Sequence, residues 1–382
     1  MKVALLGFGT VGYGVYDILS KKDGFEIAYV LDLKKHDDIS AKSVTDINEI
    51  LNDSSVETVI ELIGGLHPAY EFISAALESG KNVVTANKFV ICEYYTELTA
   101  LATKSGVALR YTAAVGGGIQ WLVNLERMVK CDTVHSITGI INGTTNFILD
   151  KMHSAACDYN NALAEAQELG YAEADPTADT EGFDTLRKIV ISASIANGAS
   201  YSSDYADVLG ISSVFSSDIK AAEDLGCVIR LLGSVVNSEK GTAVRVEPTF
   251  VSRDSMFAKV KQNLNYISVK SALAGVSGYF GPGAGRYPTA YTVVNDCIDI
   301  KNGVRHPYNT SCTEKKIDNG AVLQKYYIRT SLNDAWVVSV ADSKLGDGVV
   351  TKEIPVITLH ENIKRIKKSD PAAFAAAINL EV

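Results

Sequence analysis

The chain has 382 residues, of which 47% are hydrophobic and 21% charged, and it carries a formal net charge of −9. That length exceeds one ordinary hydrophobic core and implies two or three domains, while the negative balance and the lack of a basic patch argue against a nucleic-acid partner or an anionic membrane surface. No apolar run approaches a bilayer span, and the six scattered cysteines form neither a CxxC nor a metal spacing, as expected of a protein in a reducing cytoplasm.

Residues 2 to 6 read as a short apolar strand, followed by Gly7-Phe8-Gly9-Thr10-Val11-Gly12 and a helical run. Strand, glycine turn and helix in that order are the context a dinucleotide fingerprint needs. The first glycine makes the tight turn and the second lets the backbone approach a pyrophosphate. The third permits close helix–strand packing, and the helix N-terminus faces the phosphates. A second strand over 25 to 31 ends at Asp32, where a carboxylate would hold the ribose 2′-hydroxyl of NAD. Lys34 and Lys35 follow at once and could instead meet the 2′-phosphate of NADP. The repulsion Asp32 would exert on a phosphate tilts the reading toward NAD.

The α/β alternation continues with a buried strand over 56 to 63 ending in Gly64-Gly65, and a helix from Pro68 to about residue 79. A strand over 82 to 85 then leads into Ala86-Asn87-Lys88. A lysine at the C-terminal end of a parallel strand lies on the ligand side of an open sheet. Residues 106 to 114 read as one more strand, entering the loop Val115-Gly116-Gly117-Gly118.

Beyond residue 132 the pattern changes. A strand over 134 to 141 precedes the polar turn Asn142-Gly143-Thr144-Thr145-Asn146, and an amphipathic helix over 158 to 169 is stopped by Gly170. Five carboxylates follow (Glu173, Asp175, Asp179, Glu181, Asp184), and then Lys188. Pro176 keeps the start of this segment irregular, and from about Gly182 it turns helical with apolar residues on two sides, the mark of a buried helix. Asp184 and Lys188 stand four apart and share one face. On an open surface such a pair contributes roughly 0.2–0.5 kcal/mol. At the mouth of a core, a desolvated lysine among carboxylates can serve as general acid or base, and spare carboxylates can hold a substrate ammonium. Strands over 243 to 251 and 266 to 273, a glycine-rich loop over 278 to 285 and a helix over 289 to 300 complete this part.

Taken together and in this order, GFGTVG (7–12), TANK (85–88), AAVGGGI (113–119), GIINGTTNFIL (139–149), the 170–188 segment and GPGAG (281–285) resemble homoserine dehydrogenase over roughly residues 1 to 302. The resemblance implies interconversion of L-homoserine and L-aspartate 4-semialdehyde with NAD or NADP, in threonine, methionine and isoleucine biosynthesis. It implies Lys188 as the proton donor and acceptor at the substrate oxygen, with Asp184 and Glu173 holding the substrate. Asp179, Tyr171 and Thr144 then line the pocket, and Lys88 stands between cofactor and substrate. Gly7 to Gly12, Asp32, Gly64 and Gly285 fall to the cofactor site. For oxidation Lys188 must be neutral, which desolvation favours and the nearby carboxylates oppose.

The implied architecture is a Rossmann-type parallel sheet in residues 1–132, completed by 286–302, and a mixed α/β catalytic and dimerisation domain in 133–285. A small, shortened ACT-like α+β segment in 303–382 ends the chain, and a homodimer or homotetramer is the implied assembly. Two departures bear on a monovalent cation. Members of this family usually carry Glu at the position of Thr112, where it helps bind sodium with carbonyls at positions matching Val115, Gly117 and Ile119; a neutral hydroxyl weakens that site. Gln120 stands where the family usually has Pro.

In the tail, residues 324–330, 335–340 and 353–359 read as fragments of the ACT-like segment, without a clear first helix. Asp370-Pro371 reads as the N-cap and first position of a final Ala-rich helix. The alternative functional reading is a non-catalytic amino-acid sensor that keeps the Rossmann half as a scaffold and uses the C-terminal segment as receptor.

Overall fold

The computed structural model describes residues 1–304 and 313–381. The chain divides into two compact units. The first comprises Met1–Cys131, Ser194–Tyr201 and Pro282–Lys315; the second comprises Asp132–Ala193, Ser202–Gly281 and Lys316–Val382.

In the first unit, β1 (Lys2–Leu6), β2 (Glu26–Leu31), β3 (Lys42–Val44), β4 (Thr58–Glu61), β5 (Asn82–Thr85) and β6 (Leu109–Arg110) form a six-stranded sheet ordered β3-β2-β1-β4-β5-β6. All five pairings are parallel. β1 and β4 are buried along almost their whole length, as a sheet covered on both faces requires. Strand order reverses between β1 and β4, so a crevice opens at their carboxyl ends. The helices Thr10–Leu19 and Arg286–Lys301 share one core: Val15 and Leu19 pack with Val293, Val294 and Cys297 over Val3, Leu5 and Val84. The strand read over 106–114 keeps only two residues, because Thr112–Ala114 turn into a 3₁₀ helix.

The second unit is built on an eleven-stranded mixed sheet. Its strands are β7 (Val134–Ile140), β8 (Cys227–Ser238), β9 (Gly241–Ser252), β10 (Leu264–Ser271), β11 (Gly275–Pro282), β12 (Leu323–Arg329), β13 (Ala341–Leu345), β14 (Gly348–Thr351) and β15 (Phe374–Asn379). Their order is β11-β10-β7-β8-β9-β15-β12-β14-β13, and the short strands Asp207–Val208 and Ile354–Pro355 pair beside it. The glycine-rich stretch at 278–285 is therefore a loop only at its end; most of it is β11.

The C-terminal segment differs from its sequence reading in two places. Ala335–Val340 is a short helix, capped by Asp334 accepting from the N–H groups of Trp336 and Val337. The expected Ala-rich last helix is strand β15. Its alanines lie buried between β9, which it joins in parallel register, and β12, which it joins antiparallel. Two ladders of backbone hydrogen bonds outweigh the helix propensity of alanine, a difference of tenths of a kcal/mol per residue. Asp370 caps no helix; its Oδ2 accepts from Ser331 N–H (2.7 Å) and from the Thr330 hydroxyl (2.7 Å). Residues 316–381 build a small apolar core around Tyr326, Leu359 and Ile363, which Leu209 joins from outside the segment, and β15 makes them part of the same sheet as 132–281. Residues 316–381 and most of 132–281 accordingly fall in one compact unit.

Among the described residues five cysteines are free, Cys312 lying outside them, and no helix is long and apolar enough to cross a membrane. His153, near the end of helix Gly143–Ala155, uses Nε2 to accept from Ile229 N–H (2.8 Å). Burial, reinforced by Arg230 and Arg253, pushes its pKa from 6.5 down to about 3. The ring is neutral in the fold and takes up a proton on unfolding below about pH 6.5, so stability is complete above that value and falls with pH toward the folded pKa. Wild type is expected to lose up to about 1.4 kcal/mol per pH unit from this residue. Urea unfolding at about pH 7 and pH 5 checks it: His153→Gln, which keeps an acceptor for Ile229, loses that part of the slope. Equal slopes in the two proteins refute the assignment.

Candidate functional site

In the second unit, the turn after β7 and the helix Phe183–Asn197 deliver one polar cluster. Asn142 is the N-cap of helix Gly143–Ala155, its Oδ1 accepting from Thr145 N–H (2.9 Å). Its Nδ2 donates one hydrogen to Asp179 Oδ1 (2.7 Å) and the other to Asp184 Oδ2 (2.8 Å). Lys188 Nζ donates to Asp184 Oδ2 (2.7 Å) and to the Ile141 carbonyl (2.7 Å). The Lys188 and Asp184 side chains are 11% and 6% exposed, so the ion pair lies inside the unit and not on open surface. The helix can sit this deep because β8 offers Gly233 beneath it: a Cβ there would come within 2.9 Å of Thr185 Cγ2.

Thr144 Oγ1 lies 2.5 Å from the Tyr171 carbonyl and 3.0 Å from Asp179 Oδ2, and its single proton serves one of them at a time. Tyr171 thus enters the cluster through its backbone, while its ring packs edge-on against Phe147. The Glu173 side chain is exposed, and its carbonyl accepts from Gln167 Nε2 (3.0 Å). Asp175 caps the turn at Thr177. Of the five clustered carboxylates, then, Asp179 and Asp184 are tied through Asn142 to the Lys188 group. Asn142 escaped the sequence reading, although an Asn before a helix-forming run is itself an N-cap signal.

The first unit holds the glycine turn. Gly7 has φ +92°, and its N–H donates to the Leu31 carbonyl (2.8 Å). A Cβ at Gly12 would lie 2.2 Å from the Gly7 carbonyl oxygen, so only glycine lets the helix begin here. Gly9 precedes the first helical turn and Thr10, Val11 and Gly12 form it, while Phe8 N–H donates to Asp32 Oδ2 (2.9 Å). Burial pushes the Asp32 carboxyl up, but the N–H groups of Lys34 and Phe8, with His36, outweigh it and hold the pKa below the usual carboxylate value. Gly64 follows β4 with φ +78°, Lys88 opens the helix after β5, and Gly285 (φ +122°) precedes the helix Arg286–Lys301.

The residues present do not reproduce the sodium set. Thr112 donates its hydroxyl to Asp296 Oδ1 (2.7 Å) and its N–H to Oδ2 (3.0 Å), and Arg110 Nε pairs with the same carboxylate at 3.0 Å. The Gly117 carbonyl accepts from the Thr292 hydroxyl (2.7 Å). Val115 follows the 3₁₀ turn Thr112–Ala114, and Ile119 ends the next one, Gly117–Ile119. Two of the expected positions, Thr112 and Gly117, are thus engaged by Asp296 and by the Thr292 hydroxyl.

Models of known families match the chain twice: "Homoserine dehydrogenase, NAD binding domain" over residues 7–112 and "Homoserine dehydrogenase" over 121–298. The homoserine dehydrogenase of Lactococcus lactis is 36% identical over 357 residues, 88% of this chain and 83% of the relative. That of Neisseria gonorrhoeae is 41% identical over 313 residues, 78% and 72% of the two chains. The crystal structure of a homoserine dehydrogenase from Thiobacillus denitrificans superposes with a TM-score of 0.87 at 30% identity, covering 100% of this chain and 98% of that one. With both family models in sequence order and relatives matched over most of their length, the chain belongs to the homoserine dehydrogenase family.

Proposed function

We propose that Lys188 exchanges the proton of the substrate hydroxyl in the reaction of this family, the NAD(P)-dependent oxidation of homoserine and its reverse. Oxidation removes a hydride from the carbinol carbon and a proton from its oxygen, and a bound nicotinamide supplies the hydride acceptor. The chain's own task is to bind and orient the amino alcohol and to hold the proton. The observation that carries the reading is the buried Lys188 amine between Asp184 Oδ2 and the Ile141 carbonyl, both at 2.7 Å. Asp184 and the carbonyl aim Nζ, and with Asn142 bridging to Asp179 the cluster sets two carboxylates against one amine, a surplus suited to a substrate ammonium. Glu173 extends that acidic side from the loop. No step runs through a sodium ion.

For the cofactor, the Gly7–Gly12 turn and the helix N-terminus would hold the pyrophosphate. Asp32 accepts one N–H on each oxygen and retains lone pairs for ribose hydroxyls, which favours NAD. The test is homoserine-dependent reduction of NAD and of NADP by purified protein. Asp32→Ala is expected to raise the KM for NAD about tenfold, the loss of a hydrogen bond to a charged acceptor, and to leave NADP unchanged or improved. If NADP suffers more, the preference is reversed; if neither cofactor is reduced, the reading of the site falls.

We read residues 316–381 as an ACT-like fold in a packing role. Its strands run in the order fourth-first-third-second, with one helix after the first strand and one after the third. Glu247 of β9, buried, accepts from the Tyr326 hydroxyl (3.3 Å) and contacts His360 Nε2 (2.9 Å), tying the segment to the catalytic sheet. A non-catalytic sensor is not favoured, since the catalytic-domain family model runs through Asp184 and Lys188.

A further inference from the structure

At the carboxyl ends of β4 and β5 lies a buried polar relay that touches no reacting group. Glu61, the last residue of β4, is 0% exposed and so cannot reach a nucleotide or a substrate. Its Oε1 accepts from the N–H groups of Ile63 (2.8 Å) and Gly64 (3.2 Å), which form the turn after β4. Its Oε2 accepts from the Thr85 hydroxyl (2.6 Å), its register partner on β5. Thr85 Oγ1 in turn accepts from Asn87 N–H (2.8 Å). Asn87 donates Nδ2 to the Gly65 carbonyl (2.7 Å) and caps, through Oδ1, the helix that begins at Lys88.

One carboxylate therefore fastens two neighbouring loops together: the Gly64-Gly65 turn and the start of the Lys88 helix. Both lie on the ligand end of a parallel sheet. Burying an ionised carboxylate is costly unless its lone pairs are filled, and here the donors come from the very backbone whose position matters. A leucine at this place would pack the strand equally well and organise neither loop.

We propose that Glu61 is a positioning residue, acting through Thr85 and Asn87 to set Lys88 and through the Ile63–Gly64 turn to set the cofactor loop. It rests on the place between cofactor and substrate that the family resemblance implies for Lys88. Because Glu61 variants risk misfolding, the relay is best cut at its middle. Thr85→Val is nearly isosteric and removes the hydroxyl, whereas Thr85→Ser keeps it.

The expected result is a fall of about tenfold in kcat for Thr85→Val, the size of loss a sub-ångström misplacement produces, with near-wild-type turnover in Thr85→Ser. In a Lys88→Ala background, Thr85→Val should change kcat less than about twofold, because the group it positions is gone. Effects that multiply in the two backgrounds overturn the proposal while leaving Lys88 its role. Wild-type kcat in Thr85→Val overturns it too, as does equal impairment of the valine and serine variants, which marks a purely structural site. Wild-type turnover in Lys88→Ala removes the role of Lys88 and the proposal together.

Discussion

Lys188→Ala is expected to lower kcat for homoserine oxidation by roughly 10²–10⁴-fold, the usual contribution of a positioned general acid–base. NADH binding, followed by its dihydronicotinamide fluorescence, should stay within about twofold, because the cofactor is held by other residues. Lys188→Arg should not rescue turnover, since a guanidinium keeps its proton at any pH the fold survives. Lys188→Gln separates chemistry from packing: it keeps an uncharged N–H donor on a stem one bond shorter than the one that brings Nζ to the Ile141 carbonyl at 2.7 Å in the wild type. If Gln restores the fold but not the rate, the amine is chemical. If cofactor affinity and kcat fall together in all three variants, Lys188 is a structural half of its ion pair and the mechanism is wrong.

The parts of this molecule legible in the sequence are those whose pattern has one physical solution. Gly7 must take φ +92°, and Gly12 must leave room for the Gly7 carbonyl, so the fingerprint foretells a strand–turn–helix and the parallel sheet that follows. The four-residue spacing of Asp184 and Lys188 on a two-sided apolar helix likewise foretells a buried pair. The failures lie where distant partners decide. Alanines 375 to 377 carry a helix propensity that β9 and β12 override from more than forty residues away. Asn142 and Glu61 are short polar words in ordinary motifs, and their roles come from where Asp179, Asp184, Thr85 and Gly64 fold back to meet them. Tyr171, expected to line the pocket, enters the cluster by its carbonyl. A backbone contact of this kind leaves no trace in side-chain chemistry.

Arg329→Met is expected to cost about 3–5 kcal/mol of stability, the range for stripping one partner from a buried charge pair. Asp218 is 0% exposed; Arg329 grips it with Nε to Oδ1 at 2.7 Å and Nη2 to Oδ2 at 2.9 Å. The same guanidinium donates to the carbonyls of Ser213 (2.8 Å) and Ala372 (3.0 Å) and stacks over Phe215 at 4.2 Å. One side chain of β12 thereby pins the helix Ser216–Asp224, the loop before it and the approach to β15. Methionine keeps much of the apolar stem but abandons Asp218 in a dry site, with Phe215 N–H as a remaining donor at 2.8 Å. The penalty is the orphaned charge and not the lost attraction, so Arg329→Met combined with Asp218→Asn should recover a large part of it. Denaturant midpoints of the two single variants and the double variant decide the matter. Strict additivity would mean that the two residues do not act on each other. A single-variant loss below about 1 kcal/mol would place the pair in solvent, where exposed ion pairs belong, and would undo the account of how the C-terminal strands are held against the catalytic sheet.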